Sequence, residues 1–346
     1  LDGGEPVQVS WFTHGGGTPR WSPDGRRLLV TARLPVTAIE GSPPWPSARP
    51  DAESAPKEPA ADEAAAAAAV PPRTAASLRR WLDRRAAEAD PRVFTRLDFQ
   101  GELALAGPRE RSRAAVLTLA DRVLGGAAGD PADPEPAAGM QWATRGFDET
   151  LGPEWLDGGD RVVFATAPDD RIDPDRVERR VLASTDPLGG DRRVLVDLAE
   201  WTLQSPRPSG DGRLAFLARR IDQPSDRQWR IGVVDLAEAA GPVRDVAAVQ
   251  WLTDEAGFDH SVRDPRWHAG RLLFTAAVRG GFPLMSVSAG LLEPAPVVDR
   301  RDGFPIGVHG FAAGSGTIAW AETHPANPCV LRVRVGEREV VAHDLN

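Results

Sequence analysis

Apolar and polar positions recur along this chain in one fixed order. A short segment carrying Trp or Pro leads into a polar turn rich in Asp and Gly, and three apolar residues follow. The first copy reads Pro19-Arg20-Trp21-Ser22-Pro23-Asp24-Gly25-Arg26-Arg27-Leu28-Leu29-Val30. The second runs from Pro153 through Trp155 and Gly158-Gly159 to Val162-Val163-Phe164. The third runs from Pro206 through Asp211-Gly212 to Leu214-Ala215-Phe216, and the fourth from Pro265 through Trp267 and Gly270 to Leu272-Leu273-Phe274. A worn copy covers residues 310–320. Each copy reads as a β-hairpin. Asp-Gly supplies the positive φ that tight hairpin turns demand. The apolar triplet suits a strand buried on both faces. The Trp is large enough to fill space between neighbouring sheets.

The spacing assigns one sheet to each copy. Pro153 and Pro206 are 53 residues apart, Pro206 and Pro265 are 59 apart, and Pro265 and Phe311 are 46 apart. Four strands with their connections need roughly 40–50 residues, the period of a propeller blade. Residues 231–236 and 284–288 read as third strands, and 246–252 as a fourth. The pattern therefore predicts an all-β fold, a β-propeller of four-stranded antiparallel blades. About five blades are recognisable, plus a partial one. Helical periodicity is confined to residues 74–89.

Residues 1–346 are expected to form a single propeller domain. Residues 42–90 break its pattern. The stretch 42–72 is rich in Pro, Ala and Glu and too poor in apolar bulk to offset its ordering entropy. One amphipathic helix follows at 74–89. Apolar strands lie before this stretch (28–34) and after it (93–97 and 116–119). It therefore reads as an insertion within one blade, which loops tolerate at modest entropic cost. Residues 7–12 are expected to be the fourth strand of a blade whose earlier strands are absent, so the propeller is expected to be truncated at its start. Residues 330–335 and 337–343 read as a last hairpin.

Charge and composition narrow the classes. The net charge of −9 argues against a nucleic-acid partner, which would want a basic face. No apolar run approaches the roughly 18 residues of a membrane span, so no membrane partner is expected. The lone Cys329 excludes an internal disulfide and reads as a buried structural thiol in a reducing, cytoplasmic setting. The basic residues are nearly all Arg, with Lys57 the single lysine; this bias reads as the base composition of a G+C-rich genome.

The string at 19–26 resembles the propeller repeats of TolB and of the prolyl oligopeptidase family of serine hydrolases. Asp90-Pro91-Arg92-Val93-Phe94-Thr95-Arg96-Leu97 resembles the third-blade region of acylaminoacyl peptidases and related dipeptidyl peptidases. So does the run from Leu252-Thr253-Asp254 to Asp264-Pro265-Arg266-Trp267, and so does the ending from Ala321-Glu322-Thr323-His324-Pro325 to Asp344-Leu345-Asn346. The resemblance spans essentially the whole chain. It implies a propeller of seven or so blades that caps an α/β-hydrolase domain of the same enzyme and admits small peptides by size. It carries over no catalytic residue, because no position here matches one, and no cofactor. The alternative it leaves is a stand-alone TolB-like scaffold for protein–protein interaction. A metal-bearing, lactonase-type propeller is a third. An arc lacking blades would expose sheet faces and edges, so self-association is expected.

Several motifs invite chemistry. His14-Gly15-Gly16-Gly17 copies an oxyanion-hole signature, but it leads into a propeller turn and not into a hydrolase strand–helix unit. Gly314-Ser315-Gly316 lacks the Gly-x-Ser-x-Gly elbow and reads as a turn. Asp169, Asp170, Asp173 and Asp175 fit no EF-hand spacing and read as a solvated loop, so no metal is expected. His260, His268, His309, His324 and His343 are scattered over different blades. Arg92 and Arg96 are the candidate substrate contacts, because Arg reads carboxylates bidentately; an inter-blade salt bridge is the competing use.

Overall fold

The computed structural model describes residues 9, 10, 12, 15–35, 79, 110–124, 138–145, 149–169, 178–222, 228–239, 241–254, 256–288 and 293–344. The chain divides into two compact units. One joins Leu1–Glu40 to Glu110–Asn346; the other is Gly41–Arg109. In the second unit Arg79 alone is described, and it is helical. The rest of the expected insertion at 42–90, and the expected strand at 93–97, lie outside the described residues.

The first unit is a β-propeller of five four-stranded antiparallel blades in a ring. Blade 1 is β1 (Gly16–Trp21), β2 (Arg27–Pro35), β3 (Glu110–Leu119) and β4 (Ala138–Trp142). Blade 2 is β5 (Leu151–Trp155), β6 (Val162–Thr166), β7 (Val181–Thr185) and β8 (Arg193–Val196). Blade 3 is β9 (Trp201–Pro208), β10 (Arg213–Arg220), β11 (Arg230–Asp235) and β12 (Gln250–Trp251). Blade 4 is β13 (Val262–His268), β14 (Arg271–Ala276), β15 (Leu284–Ser288) and β16 (Ala295–Val298). A small hairpin, β17 (Arg300–Arg301) and β18 (Phe304–Pro305), leads to blade 5. Blade 5 is β19 (Gly307–Gly314), β20 (Thr317–His324), β21 (Asn327–Val335) and β22 (Arg338–Asp344). β2 and β3 pair without a break from Arg27↔Thr118 to Pro35↔Glu110, so residues 36–109 are the connection between them.

The core follows from the two-residue period of a strand. On β10, Leu214, Phe216 and Ala218 pack toward blade 2, whereas Ala215 and Leu217 pack toward blade 4. On β6, Val163 and Ala165 join blade 3, and Val162 and Phe164 join blade 1. On β14, Leu272, Phe274 and Ala276 join blade 3, while Leu273 joins blade 5. The apolar triplets are buried on both faces because each face belongs to a different interface. Each fully buried Leu or Phe contributes about 1.5–3 kcal/mol.

Trp completes two of these interfaces with a clasp. Trp155 in blade 2 donates its Nε1–H to the Arg20 carbonyl of blade 1 at 3.1 Å, and the Arg27 guanidinium lies 4.9 Å over its ring. Trp267 in blade 4 donates to the Arg207 carbonyl of blade 3 at 2.8 Å, with Arg213 lying 4.8 Å over its ring. Blade 3 carries Pro208 at the same place in the phrase. The arginine of the preceding blade, Arg161, then turns to Ser184 Oγ at 3.1 Å on its own sheet. Arg271 does the same with Ser286 Oγ at 3.0 Å. Trp21 occupies the Trp place in blade 1 and is 58% exposed.

The turns explain the rest of the phrase. Ser22 Oγ accepts from Arg27 N at 2.9 Å and donates to Arg27 O at 3.1 Å. Ser209 does the same with Arg213, at 3.1 and 2.9 Å. Gly25 and Gly212 supply the positive φ, 68° and 90°. Gly159, at φ 77°, also permits close approach between blades: a Cβ there would sit 2.9 Å from Pro23 Cδ.

Three expectations need correction. Val9, Ser10 and Phe12 form no strand; Val9 and Phe12 pack with Val30, Ala115 and Leu117 on the face of blade 1 turned from blade 2, with the Phe12 ring 6.4 Å from Trp142. The five blades are the recognisable ones expected from the repeat; residues 1–8, where the partial blade is expected, lie outside the described residues. The predicted strand at 246–252 shrinks to β12. Asp245 accepts from Ala247 N at 2.9 Å and winds Val246–Ala248 into a 3₁₀ turn instead. Cys329 is half-buried within β21.

Blade 5 contains a buried charge cluster. Glu322, 1% exposed, accepts from Trp320 Nε1 at 2.7 Å and from Arg301 Nε at 3.0 Å. It also accepts from Arg332 Nε at 2.5 Å. Glu339 accepts from Arg334 at 2.8 Å and completes the cluster. Burial pushes the Glu322 carboxyl up, but the bonds from Arg301, Trp320 and Arg332 outweigh it and hold it below the ordinary range.

Two predictions follow from the packing. By urea unfolding, Trp155→Phe costs about 1–2 kcal/mol for the lost hydrogen bond and its buried partner. Trp155→Ala costs about 3–5 kcal/mol, whereas Trp21→Ala stays within about 0.5 kcal/mol. Equal costs at Trp155 and Trp21 would show that the clasp does not hold the blades. The second concerns acid. A carboxyl lowered by folding stabilises the fold above its unfolded value of 4.5, and this is lost as the pH falls through the lower folded value. Stability measured from pH 6 downward should therefore fall below about pH 4.5 in the native protein. The fall should be smaller in Glu322→Gln, which starts less stable.

Candidate functional site

The innermost strands are the first of each blade. β5 touches β9, β9 touches β13, and β13 touches β19, which places these strands nearest the axis of the ring. Each of the first four blades carries a bulge there. Register slips between Gly17 and Arg20, Leu151 and Glu154, Gln204 and Arg207, and Arg263 and Arg266. The residue before the proline has positive φ in all four: Thr18 50°, Gly152 55°, Ser205 52° and Asp264 49°. L-residues seldom adopt this conformation, and a following proline disfavours it further for its neighbour. A bulge bends the strand and re-aims the side chains after it.

The re-aimed residues are Arg20, Glu154, Arg207 and Arg266, all at the second place in the phrase. Glu154 Oε1 accepts from Arg20 Nε of blade 1 at 2.8 Å and from Arg207 Nη1 of blade 3 at 2.9 Å. Arg207 Nε donates to the Pro265 carbonyl of blade 4 at 2.9 Å. One carboxylate and one guanidinium therefore link four consecutive blades. Burial pulls the Arg207 guanidinium below its ordinary range; Glu154 opposes that shift. Arg266 lies 5.7 Å over the Phe311 ring of blade 5, and its Nε is buried with no hydrogen-bond partner among the described residues.

A cleft of about 480 Å³ opens between blades 3 and 4. Gln204, Arg219, Gln228, Trp229, Arg263 and Asp264 are among its lining residues.

The residues singled out from sequence lie elsewhere. Arg92 and Arg96 are outside the described residues, as are His14 and Asp170, Asp173 and Asp175. Gly16 and Gly17 are strand residues paired with Ala32 and Thr31. Ser315 and Gly316 form the β19–β20 turn, at φ 46° and 75°. The histidines stay apart. His260 meets Phe258 edge-on at 5.0 Å, His309 pairs with Thr323 Oγ1 at 3.2 Å, and His324 Nδ1 accepts from Ala326 N at 3.3 Å. Among the described residues no group of His, Cys, Asp or Glu is placed to hold a metal. None of their helices is long and apolar enough to cross a membrane. The Glu154 link was not singled out from sequence. Its one sequence signal is that the second place of the phrase is charged in all four copies, once with the opposite sign.

Fold and inner face together define a β-propeller whose blades are tied by charge at the axis. No family model matches the chain, and no curated protein matches it by sequence. Among solved structures it is similar to the acylaminoacyl peptidase of Pyrococcus horikoshii, at 12% identity and a TM-score of 0.52. That match covers 96% of this chain and 38% of the peptidase, so the chain spans well under half of that protein's length. The β-propeller domain of the trilobed protease from Pyrococcus furiosus matches at 11% identity and a TM-score of 0.50, over 96% of this chain and 68% of that one. The putative TolB from Agrobacterium tumefaciens matches at 12% identity and a TM-score of 0.49, over 97% and 83%. At such identities the likeness to the first two establishes the propeller fold alone.

The axial link is testable. Glu154→Gln leaves Arg207 buried without its bonded counter-charge, and breaking a buried pair from one side costs about 3–5 kcal/mol. The double variant Glu154→Gln, Arg207→Gln should recover part of that loss in thermal or urea unfolding. No recovery would mean that the two side chains act independently.

Proposed function

We propose that this chain is the non-catalytic propeller of a serine peptidase, working beside an α/β-hydrolase domain of the same enzyme. It admits small peptides and excludes folded proteins. Acylaminoacyl or dipeptidyl substrates and a cytoplasmic setting belong to this reading. The observation that carries it is the inner face. First strands in contact from blade to blade, tied through Glu154 and Arg207, favour a narrow and rigid opening. The fold likeness to a peptidase of which the chain spans 38% supports the same reading.

The test is hydrolysis of chromogenic acylaminoacyl and dipeptidyl substrates. This chain alone should cleave none. Mixed with or joined to its hydrolase domain, it should support cleavage of short peptides and resist casein. Glu154→Ala should raise casein turnover relative to tetrapeptide turnover by loosening the inner strands. Hydrolysis by the chain alone overturns the reading. So does a source gene that encodes no hydrolase domain, which would favour a TolB-like interaction scaffold.

A further inference from the structure

We propose that the cleft between blades 3 and 4 binds a small zwitterion, a free amino acid or dipeptide carrying both an α-ammonium and an α-carboxylate. The inference goes beyond gating and needs no hydrolase domain.

The cleft has the size of a small-molecule site, about 480 Å³. Its floor includes Leu217 and Val262, both buried, and one wall is the Trp229 ring. Arg219 braces that wall, lying 5.2 Å over Trp229 and pairing with Glu178 at 3.3 Å. Arg263 and Asp264 are both exposed, and the Asp264 carboxylate favours the Arg207 charge from beyond ion-pair distance. Among the described residues, the amides of Gln204 and Gln228 make no hydrogen bond, and neither Arg263 nor Asp264 forms an ion pair. Arg263 rests only against an aromatic ring, 5.7 Å over Phe282.

Backbone geometry brings these groups to one place. Consecutive side chains of a regular strand point to opposite faces. Here both Arg263 and Asp264 line the cleft, and so do both Gln204 and Ser205. The bulges at Ser205 and Asp264, at φ 52° and 49°, break the alternation in both walls. An arginine and an aspartate thus share a cavity without neutralising each other.

That arrangement selects among ligands. A simple anion would meet Asp264 as a like charge, and a simple cation would meet Arg263. A neutral polyol would leave Arg263 without a counter-charge. A zwitterion satisfies both: its carboxylate takes the Arg263 fork, and its ammonium takes the Asp264 carboxylate. The two glutamine amides each offer a carbonyl acceptor and two N–H donors for the remaining polar atoms.

The test is titration of this chain with alanine, leucine and Ala-Ala by calorimetry. Their N-acetyl and C-terminal amide derivatives serve as probes lacking one charge each. The zwitterions should bind, and each derivative should bind at least about tenfold more weakly. Arg263→Gln should abolish discrimination against the amides, and Asp264→Asn should abolish discrimination against the N-acetyl forms. Arg338→Gln, on β22, should change neither. A thermal melt of each variant confirms folding. The inference is overturned if zwitterions and derivatives bind alike, if acetate competes as well as alanine, or if nothing binds at tens of millimolar. Because no substrate is turned over, failure here leaves the gating proposal standing, and failure of gating leaves this site standing.

Discussion

The structure depends on one constraint: a blade that stands between two neighbours must bury both of its faces. A sheet with one solvated face can alternate apolar and polar residues; a blade between two neighbours cannot. Hence the unbroken runs Val162-Val163-Phe164 and Leu214-Ala215-Phe216, each split by parity between two interfaces. The Trp clasp is the polar complement of that rule. A buried indole N–H must find an acceptor. The first strand of the preceding blade, lying at a sheet edge, has carbonyls to give. Trp21 shows the same residue without such a neighbour, and it stands exposed.

What the sequence discloses is what is local. Each hairpin is specified within about a dozen residues by a turn and an apolar triplet, so the repeat, the blade size and the third strands at 231–236 and 284–288 are readable directly. Two elements depart from what their apolar pattern predicts. Val246 and Val249 suggest a strand, but the Asp245 side chain captures a backbone N–H and winds a 3₁₀ turn. Residues 7–12 look strand-like, yet Val9, Ser10 and Phe12 lie outside any strand, and Val9 and Phe12 serve as packing on blade 1.

The inner face was hidden for a different reason. Glu154 and Arg20 are 134 residues apart, and nothing local announces their bond. The bulges leave no residue-type signature either, since Thr18, Gly152, Ser205 and Asp264 share only the proline that follows them. The repeat holds the clue. A charged second place in four copies, with one sign reversed, is what a ring of mutually facing positions requires. Four like charges there would repel; one acid among three bases lets neighbouring blades attract.

The arginine bias acquires a structural meaning in the same way. Base composition explains why arginine is available, but not why lysine would fail at these positions. Arg27 and Arg213 lie over indole rings, and Arg207 spans a carboxylate on one blade and a carbonyl on another. Both tasks use a planar, forked cation that stays charged when buried. A lysine ammonium is a point charge that neither stacks nor forks. Where the next blade offers no indole, Arg161 and Arg271 fold back onto serine hydroxyls of their own sheets. The following blade therefore decides the partner at this place in the phrase: its indole where it carries one, a serine of the arginine's own sheet where it does not. This lets one repeat tolerate Pro208 where its neighbours carry tryptophan without leaving a buried guanidinium unpaired.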